Sequence, residues 1–291
     1  MTDIKRIPGR TAEIGGGISI QRFLPQRQQR MIGPWCFLDH AGPAGFVGGQ
    51  GMHVGAHPHI GLQTFTWMLE GEVLHTDSLG NQQIIRPGQV NLMTAGHGIS
   101  HTEDNFSESG RLHAAQLWIA LPADLSDIPA SFQHCPELPV WREGELSLSL
   151  LAGEYQGRRS PCRVYSPLLG LDLQSENAGS ISLQLEPRFE YGLLALRGSF
   201  SFQDQQFDGS ELLYLAAGQQ VLELDLAANS QILLIGGEAF SEPVQMWWNF
   251  VAYDKATLIQ AAQDWQAGDA RFGQVAKPDA VRLQAPAMPW R

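Results

Sequence analysis

Histidine is concentrated in one part of this sequence. All nine histidines lie between His40 and His134, and six of them fall in the stretch from Gly51 to Glu103. Imidazole is the side chain most often used as a metal ligand, and it changes charge near neutral pH. This uneven distribution indicates a chemical site in the first half of the chain.

Two pairs of residues spaced two apart make this prediction more specific: His57-Pro-His59 and His101-Thr-Glu103. On a β-strand such residues point to the same face, about 7 Å apart. If the two segments are neighbouring strands, three imidazoles and one carboxylate converge. That set suits a first-row transition metal such as iron, nickel, copper or manganese, with positions left open for water or substrate.

The alternative is that these histidines are hydrogen-bonded groups of the core or surface. A structural zinc site is not indicated, because no cysteine pair accompanies the histidines.

The segments around these residues read as short strands separated by turns. Candidate strands run over 62–69, 72–76, 83–85, 90–93 and 115–121, with turn signals at Glu70-Gly71, at 77–81 and at Pro87-Gly88. Short strands at this spacing predict an antiparallel barrel or sandwich.

The second half of the chain repeats this pattern weakly. Residues 69–77 align with 196–204, and Pro87-Gly-Gln aligns with Ala217-Gly-Gln. At the same offset His57 and His59 fall on Gln184 and Glu186, so the second half cannot build the same metal site. We predict two domains, residues 1–140 with the metal site and residues 141–291 without metal ligands. The second ends in a helix over 254–267, capped by Asp254, and a tail.

Composition narrows the classes of partner and the compartment. The net charge is −11 with only three lysines, so direct binding to nucleic acid is not expected. Three distant cysteines predict no disulfide framework, and no apolar run is long enough to span a membrane. We therefore expect a cytoplasmic protein without membrane contact.

The histidine region resembles the pirin family of cupin proteins. Gly51, five residues and then His57-x-His59 is similar to the opening of the first cupin motif. That motif continues to a glutamate where this chain has Gln63 and Thr64, and Glu103 supplies the carboxylate instead. The most specific stretches are residues 57–67 and 87–103. One segment differs from the family pattern: where the family has a closing Gly-Pro-Phe-Val-Met-Asn, this chain has Trp-Asn-Phe-Val-Ala-Tyr at 248–253.

The resemblance implies an all-β bicupin, with two jelly-roll β-barrel domains and a short C-terminal helix. It also implies one mononuclear metal in the N-terminal barrel. The family metal is usually iron, with nickel, copper, manganese or zinc as alternatives. The ligands carried over are His57, His59, His101 and Glu103.

Some pirin-like proteins are quercetin 2,3-dioxygenases, which implies a small aromatic enol-ketone substrate, O2 and Glu103 as general base. The candidate pocket residues are His53, Phe65, Trp67, Met93, His97 and Trp118. Other pirin-like proteins act as nuclear co-regulators or bind metabolic enzymes. The alternative function is therefore a non-enzymatic, iron-dependent redox sensor that acts on a regulatory or enzyme protein partner.

Overall fold

The structure is a computed structural model that describes residues 4–46, 51–106, 110–277 and 279–290. The strands of the first half are β1 (Ile4–Pro8), β2 (Arg10–Ile14), β3 (Ile18–Leu24), β4 (Trp35–Gly45), β5 (His53–His59), β6 (Leu62–Glu70), β7 (Val73–Asp77), β8 (Gln82–Ile85), β9 (Val90–Thr94), β10 (Ile99–Asn105), β11 (Arg111–Ala120) and β12 (Ser131–Cys135).

The strands of the second half are β13 (Val140–Glu143), β14 (Leu146–Tyr155), β15 (Arg158–Arg159), β16 (Leu168–Ser175), β17 (Gly179–Gln184), β18 (Phe189–Arg197), β19 (Ser199–Phe202), β20 (Gln205–Asp208), β21 (Glu211–Leu215), β22 (Val221–Leu226), β23 (Ser230–Glu238), β24 (Gln245–Trp247) and β25 (Phe250–Ala252). Helix α1 covers Lys255–Ala267, and two 3-10 helices cover Ala123–Leu125 and Ala270–Phe272. The predicted all-β class with a C-terminal helix is confirmed.

The N-terminal barrel consists of two sheets. One has the order β12-β9-β6-β11-β4-β3-β2, and the other has the order β5-β10-β7-β8. The pairs β6–β11, β5–β10 and β7–β10 are antiparallel. The smaller sheet carries both predicted ligand pairs, on its adjacent strands β5 and β10.

The C-terminal barrel repeats this two-sheet arrangement. Its sheets have the orders β1-β21-β18-β23-β16-β14-β13, with β15 beside β14, and β17-β22-β19-β20. Its core is apolar and rich in leucine; examples are Leu148, Leu171, Leu193 and Leu234, all fully buried. Each fully buried leucine contributes about 1.5–3 kcal/mol to folding. The core therefore stabilises the barrel through packing.

Two compact units divide the chain differently from a single cut at residue 140. One contains residues 1–12, 21–40 and 137–239, and the other contains 13–20, 41–136 and 240–291. Strand β1 belongs with the C-terminal barrel because it pairs with β21. The C-terminal segment belongs with the N-terminal barrel because its residues pair with Ala56 and Ile60 on and after β5.

Helix α1 begins and ends as its sequence predicts. The Asp254 side chain accepts a hydrogen bond from the Thr257 backbone N–H, which would otherwise lack a partner in the first turn. Gly268 ends the helix in the left-handed conformation. Leu258, Ala262 and Trp265 are buried on one face. Among the described residues no helix is long and apolar enough to cross a membrane.

Candidate metal centre

Strand pairing brings the two predicted ligand pairs side by side. His101 on β10 lies opposite His57 on β5, and Ile99 lies opposite His59. Because alternate residues of a strand share a face, both histidines of β5 and His101 point to the same side of this sheet. The register shifts between His101 and Glu103, where β10 has an irregularity against β5.

The three histidines form a compact, buried group. Ligand nitrogens of His57, His59 and His101 all lie within 4.8 Å of one another. The Nε2 atoms of His59 and His101 are 3.1 Å apart. The three rings are 1–7% exposed. Three imidazole nitrogens this close together are suited to binding a cation.

In each of these histidines Nδ1 already has a hydrogen-bond partner. His57 Nδ1 is 2.8 Å from the Gly55 carbonyl oxygen, and His59 Nδ1 is 3.0 Å from the Asn249 carbonyl oxygen. A carbonyl oxygen only accepts, so both Nδ1 atoms carry the proton and both Nε2 atoms keep a lone pair. This arrangement typically orients metal-ligating histidines.

Burial keeps these imidazoles neutral. Loss of solvent lowers the pKa of His57 to about 4. Burial, together with the neighbouring imidazoles, lowers the pKa of His59 and of His101 well below the usual value. Neutral imidazole is the form that binds metals, so the group is ready to accept a cation at neutral pH. The donor set therefore fits a transition metal.

A further histidine and an aspartate lie beside the group on strand β7. His75 Nδ1 is 3.3 Å from His101 Nδ1, and His75 Nε2 is 3.0 Å from an Asp77 carboxylate oxygen. Burial would raise the pKa of the Asp77 carboxyl, but hydrogen bonds from His75 and Asn81 outweigh it and lower this pKa. The carboxylate is therefore ionised and accepts only.

Glu103 lies two residues after His101 on β10 and pairs with His75 of β7. It is half-buried, and it is not a member of the group of three close ligand atoms. Burial, with a smaller contribution from the charge of Asp104, raises the pKa of Glu103 to about 7. Its role as fourth ligand stays a prediction.

The opposite sheet faces the histidines through two aromatic residues. Trp118 on β11 meets the His59 ring edge-on at 5.1 Å, and Phe132 on β12 stacks on His75 at 4.5 Å. Thr64 lies opposite both Trp118 and Met93, so Met93 is on the same face as Trp118.

Phe65 and Trp67 differ from the prediction. They are the odd-numbered neighbours of Thr64 and Thr66 on β6, so strand alternation directs them to the other face of the sheet. Both are buried there. They belong to packing on that face and do not line the side that carries the histidines.

His53 and His97 also lie outside the group of three. His53 is exposed, with Nδ1 3.0 Å from Asp104, whose other oxygen pairs with Lys277 at 2.6 Å. His97 is exposed in the turn before β10, with Nδ1 2.6 Å from Asp127. Each is paired with a carboxylate, that of Asp104 being buried and that of Asp127 exposed, and their contribution to a pocket stays a prediction.

Three contacts around the histidine group were not predicted. The pair His75-Thr-Asp77 has the same spacing of two residues as the ligand pairs, and this signal was available in the sequence. The carbonyl groups of Gly55 and Asn249 had no such signal. Asn249 belongs to the segment at 248–253 that departs from the family pattern, and it contacts His59 across 190 positions of sequence.

Comparison with known proteins agrees with this architecture. The family model described as Pirin matches residues 17–119, and the model described as Pirin C-terminal cupin domain matches residues 170–273. A Pseudomonas aeruginosa protein named "Putative quercetin 2,3-dioxygenase PA1205" is 54% identical over 288 residues, which is 99% of this chain and 91% of that protein. A "Pirin-like protein" of Caulobacter vibrioides is 38% identical, over 87% of this chain and 90% of its own length.

Two solved structures are also similar. A quercetin 2,3-dioxygenase from Acinetobacter baumannii superposes with a TM-score of 0.96 at 48% identity, covering 99% of this chain and 96% of that one. The bacterial pirin YhhW from Escherichia coli, in complex with nickel(II), has a TM-score of 0.67 at 19% identity, covering 81% of this chain and 100% of that one. At that identity the second match supports the fold alone.

The two barrels and the buried histidines define a bicupin protein with a site compatible with a metal. The matches over nearly the whole chain make the assignment more specific: this chain belongs to the pirin family.

Proposed function

We propose that this protein is an iron-dependent dioxygenase that opens a flavonol such as quercetin with O2. The ligands are His57, His59, His101 and Glu103. The observation that carries the proposal is the convergence of the nitrogens of the three histidines. In His57 and His59, Nδ1 is hydrogen-bonded to a backbone carbonyl, which leaves Nε2 free to bind a metal. The names of relatives that cover nearly the whole chain support the substrate class.

A bound divalent metal would act as a Lewis acid and lower the pKa of a substrate hydroxyl group at the site. The protein's own residues supply the remaining functions. Glu103, on the same strand as His101, accepts the hydroxyl proton as general base. Trp118 and Met93 form an apolar wall opposite the histidines. Such a wall excludes water and suits a flat aromatic substrate.

The test measures metal content and flavonol loss on the same preparations. Metal analysis of purified protein is followed by an aerobic assay of quercetin absorbance for the wild type, Glu103→Ala and His57→Ala. The matched controls are Glu186→Ala and Gln184→Ala in the C-terminal barrel, which occupy the positions that align with His59 and His57. We expect both site variants to lose the flavonol reaction, and His57→Ala to lose metal as well. Both controls should behave as the wild type.

Two results would contradict the proposal in different ways. Full metal occupancy in His57→Ala would show that the ligand assignment is wrong. Wild-type protein that carries iron but leaves quercetin unchanged would exclude the flavonol reaction and favour the redox-sensing alternative.

A further inference from the structure

His101 differs from the other two histidines in the partner of its Nδ1 atom. The partners of His57 and His59 are backbone carbonyls, but the partner of His101 is another imidazole, that of His75. An imidazole nitrogen either donates or accepts, depending on its tautomer. The position of the proton on His101 therefore depends on the tautomer of His75.

Asp77 determines that tautomer. Its carboxylate only accepts, so the His75 nitrogen 3.0 Å away, Nε2, carries the proton. His75 Nδ1 then has the lone pair and accepts the Nδ1 proton of His101. As a result, His101 Nε2 keeps its lone pair, on the side where it approaches His59 Nε2.

We propose that His75 and Asp77 are positioning residues that hold His101 in the tautomer able to bind a metal. This inference rests on the metal centre proposed above and adds two residues to it. Both added side chains are buried, His75 at 4% and Asp77 at 0% exposure, so water does not replace either one. Phe132 stacks on the His75 ring at 16° between planes and holds its orientation.

The turn after β7 holds the Asp77 carboxylate in one orientation. Its Oδ1 atom accepts the backbone N–H groups of Leu79 at 2.9 Å and of Asn81 at 3.1 Å. Its Oδ2 atom faces His75. The Asn81 side-chain amide donates to both oxygens. The two backbone donors therefore fix which oxygen is available to His75.

This geometry makes Asp77→Asn a specific test. The two backbone donors still require an oxygen at the turn, so the new amide group presents its NH2 to His75 Nε2. An NH2 group donates, and it therefore favours the opposite tautomer of His75, with the proton on Nδ1. His101 must then accept at Nδ1 and carry its own proton on Nε2, where the metal would bind. Loss of a supporting hydrogen bond to a ligand typically weakens metal binding by about 10- to 100-fold.

Two substitutions of His75 separate hydrogen bonding from packing. His75→Phe keeps a ring against Phe132 but provides no acceptor for the His101 Nδ1–H group. His75→Gln loses the ring but offers an amide oxygen as acceptor. We expect His75→Phe to weaken metal binding by roughly 10- to 100-fold, and His75→Gln to retain most of the wild-type affinity.

The experiment measures Ni2+ affinity of the full chain after chelator treatment, by competition with a chromophoric chelator. The visible spectrum of the Co2+ form reports the ligand geometry. The matched control is Asp208→Asn, another turn carboxylate, which accepts from the Ser210 backbone N–H in the C-terminal barrel. The melting temperature of each metal-free variant shows that it has folded.

The possible outcomes distinguish this inference from the metal centre itself. If the wild type binds no Ni2+, or His57→Ala binds it equally well, the metal centre is wrong. If the wild type binds Ni2+ and both Asp77→Asn and His75→Phe match it in affinity and Co2+ spectrum, the positioning role is wrong and the centre stands. Equal weakening in His75→Phe and His75→Gln would also overturn the role, because the acceptor would then not matter. If Asp77→Asn does not fold, the two His75 variants decide the question.

Discussion

The three histidines of the site were predictable as single residues, but the groups that orient them were only partly so. Residue type and a spacing of two identified His57, His59 and His101. The same spacing marks His75 and Asp77, but an aspartate before a turn is also a common turn residue. The carbonyl of Asn249 reaches His59 from 190 residues away, and no local pattern encodes such a contact.

Gly71 allows a prediction about a single residue. It lies in the turn between β6 and β7 with φ +83°, and an added Cβ atom would be 2.0 Å from the Arg111 carbonyl oxygen. Gly88 has φ +80° with no atom within 4 Å of that position. We expect Gly88→Ala to cost about 1 kcal/mol through backbone strain alone. Gly71→Ala should lower the free energy of unfolding by roughly 1–3 kcal/mol more, because the backbone around it must move.

Urea denaturation of the two variants measures this difference directly. Gly88→Ala is the matched control, since its φ angle is nearly the same and only the steric overlap is missing. Equal losses of stability in both variants would show that overlap with Arg111 does not limit this turn.

At the level of elements, strand positions were easier to predict than the faces of the strands. Five candidate strands in the first half correspond to β6, β7, β8, β9 and β11, with ends within a few residues. Their alternation of residues is visible in the sequence, but which alternate set faces the histidines depends on pairing with distant strands. For this reason the sequence did not separate Trp118 and Met93, which the strand register puts on the histidine side, from Phe65 and Trp67, which it puts on the other face. A pocket role for Trp118 and Met93 stays a prediction.

The start of helix α1 gives a prediction with a pH dependence. The Asp254 carboxylate accepts from the Thr257 backbone N–H at 2.8 Å and from its hydroxyl at 2.9 Å, and these hydrogen bonds lower the pKa of Asp254. A carboxyl group with a lowered pKa in the folded state stabilises the protein above its unfolded-state pKa. That stabilisation is lost as pH falls through the folded-state value.

We therefore expect Asp254→Ala to lower the free energy of unfolding by about 1 kcal/mol at pH 7, and by less near pH 3. Asp254→Asn is the control, because its amide oxygen still accepts from the N–H of Thr257 but does not titrate. Urea denaturation at both pH values measures the effect. A loss in Asp254→Ala that stays constant from pH 7 to pH 3 would show that the charged form of the cap is not what stabilises the helix.

For the whole molecule, the sequence predicted two barrels. It did not predict that residues 1–12 belong to the same unit as 137–239, or that residues 240–291 belong to the same unit as 41–136. Strand β1 pairs with β21, more than 200 residues away, and residues 281–283 pair with Ala56. Both contacts are backbone pairings that almost any side chain allows, so composition and periodicity do not reveal them. The aligned glycines Gly71 and Gly198 did reveal the duplication, because both turns require positive φ angles.

The position of the histidine group in one of the two barrels leads to a prediction about where metal stabilises the protein. A ligand that binds the folded state stabilises the structure around its site, by about 2.7 kcal/mol at 100 times its dissociation constant. The histidine group joins β5 and β10, and β7 contributes His75 and Asp77. At the sequence positions that align with His57 and His59, the C-terminal barrel has Gln184 and Glu186. Its core is filled by apolar side chains such as Leu193 and Leu234.

Addition of Ni2+ to metal-free protein should therefore slow amide hydrogen exchange in β5, β7 and β10, and leave exchange in β18 and β23 unchanged. His59→Ala should abolish the protection in the first set, since it removes a ligand while β18 and β23 keep their core. Hydrogen exchange measured by mass spectrometry on both proteins tests this expectation. Equal protection of β18 and β23, or protection that persists in His59→Ala, would mean that the metal binds elsewhere. A cation held by the histidine group stabilises β5, β7 and β10 against local opening, because these strands carry its ligands and their hydrogen-bond partners.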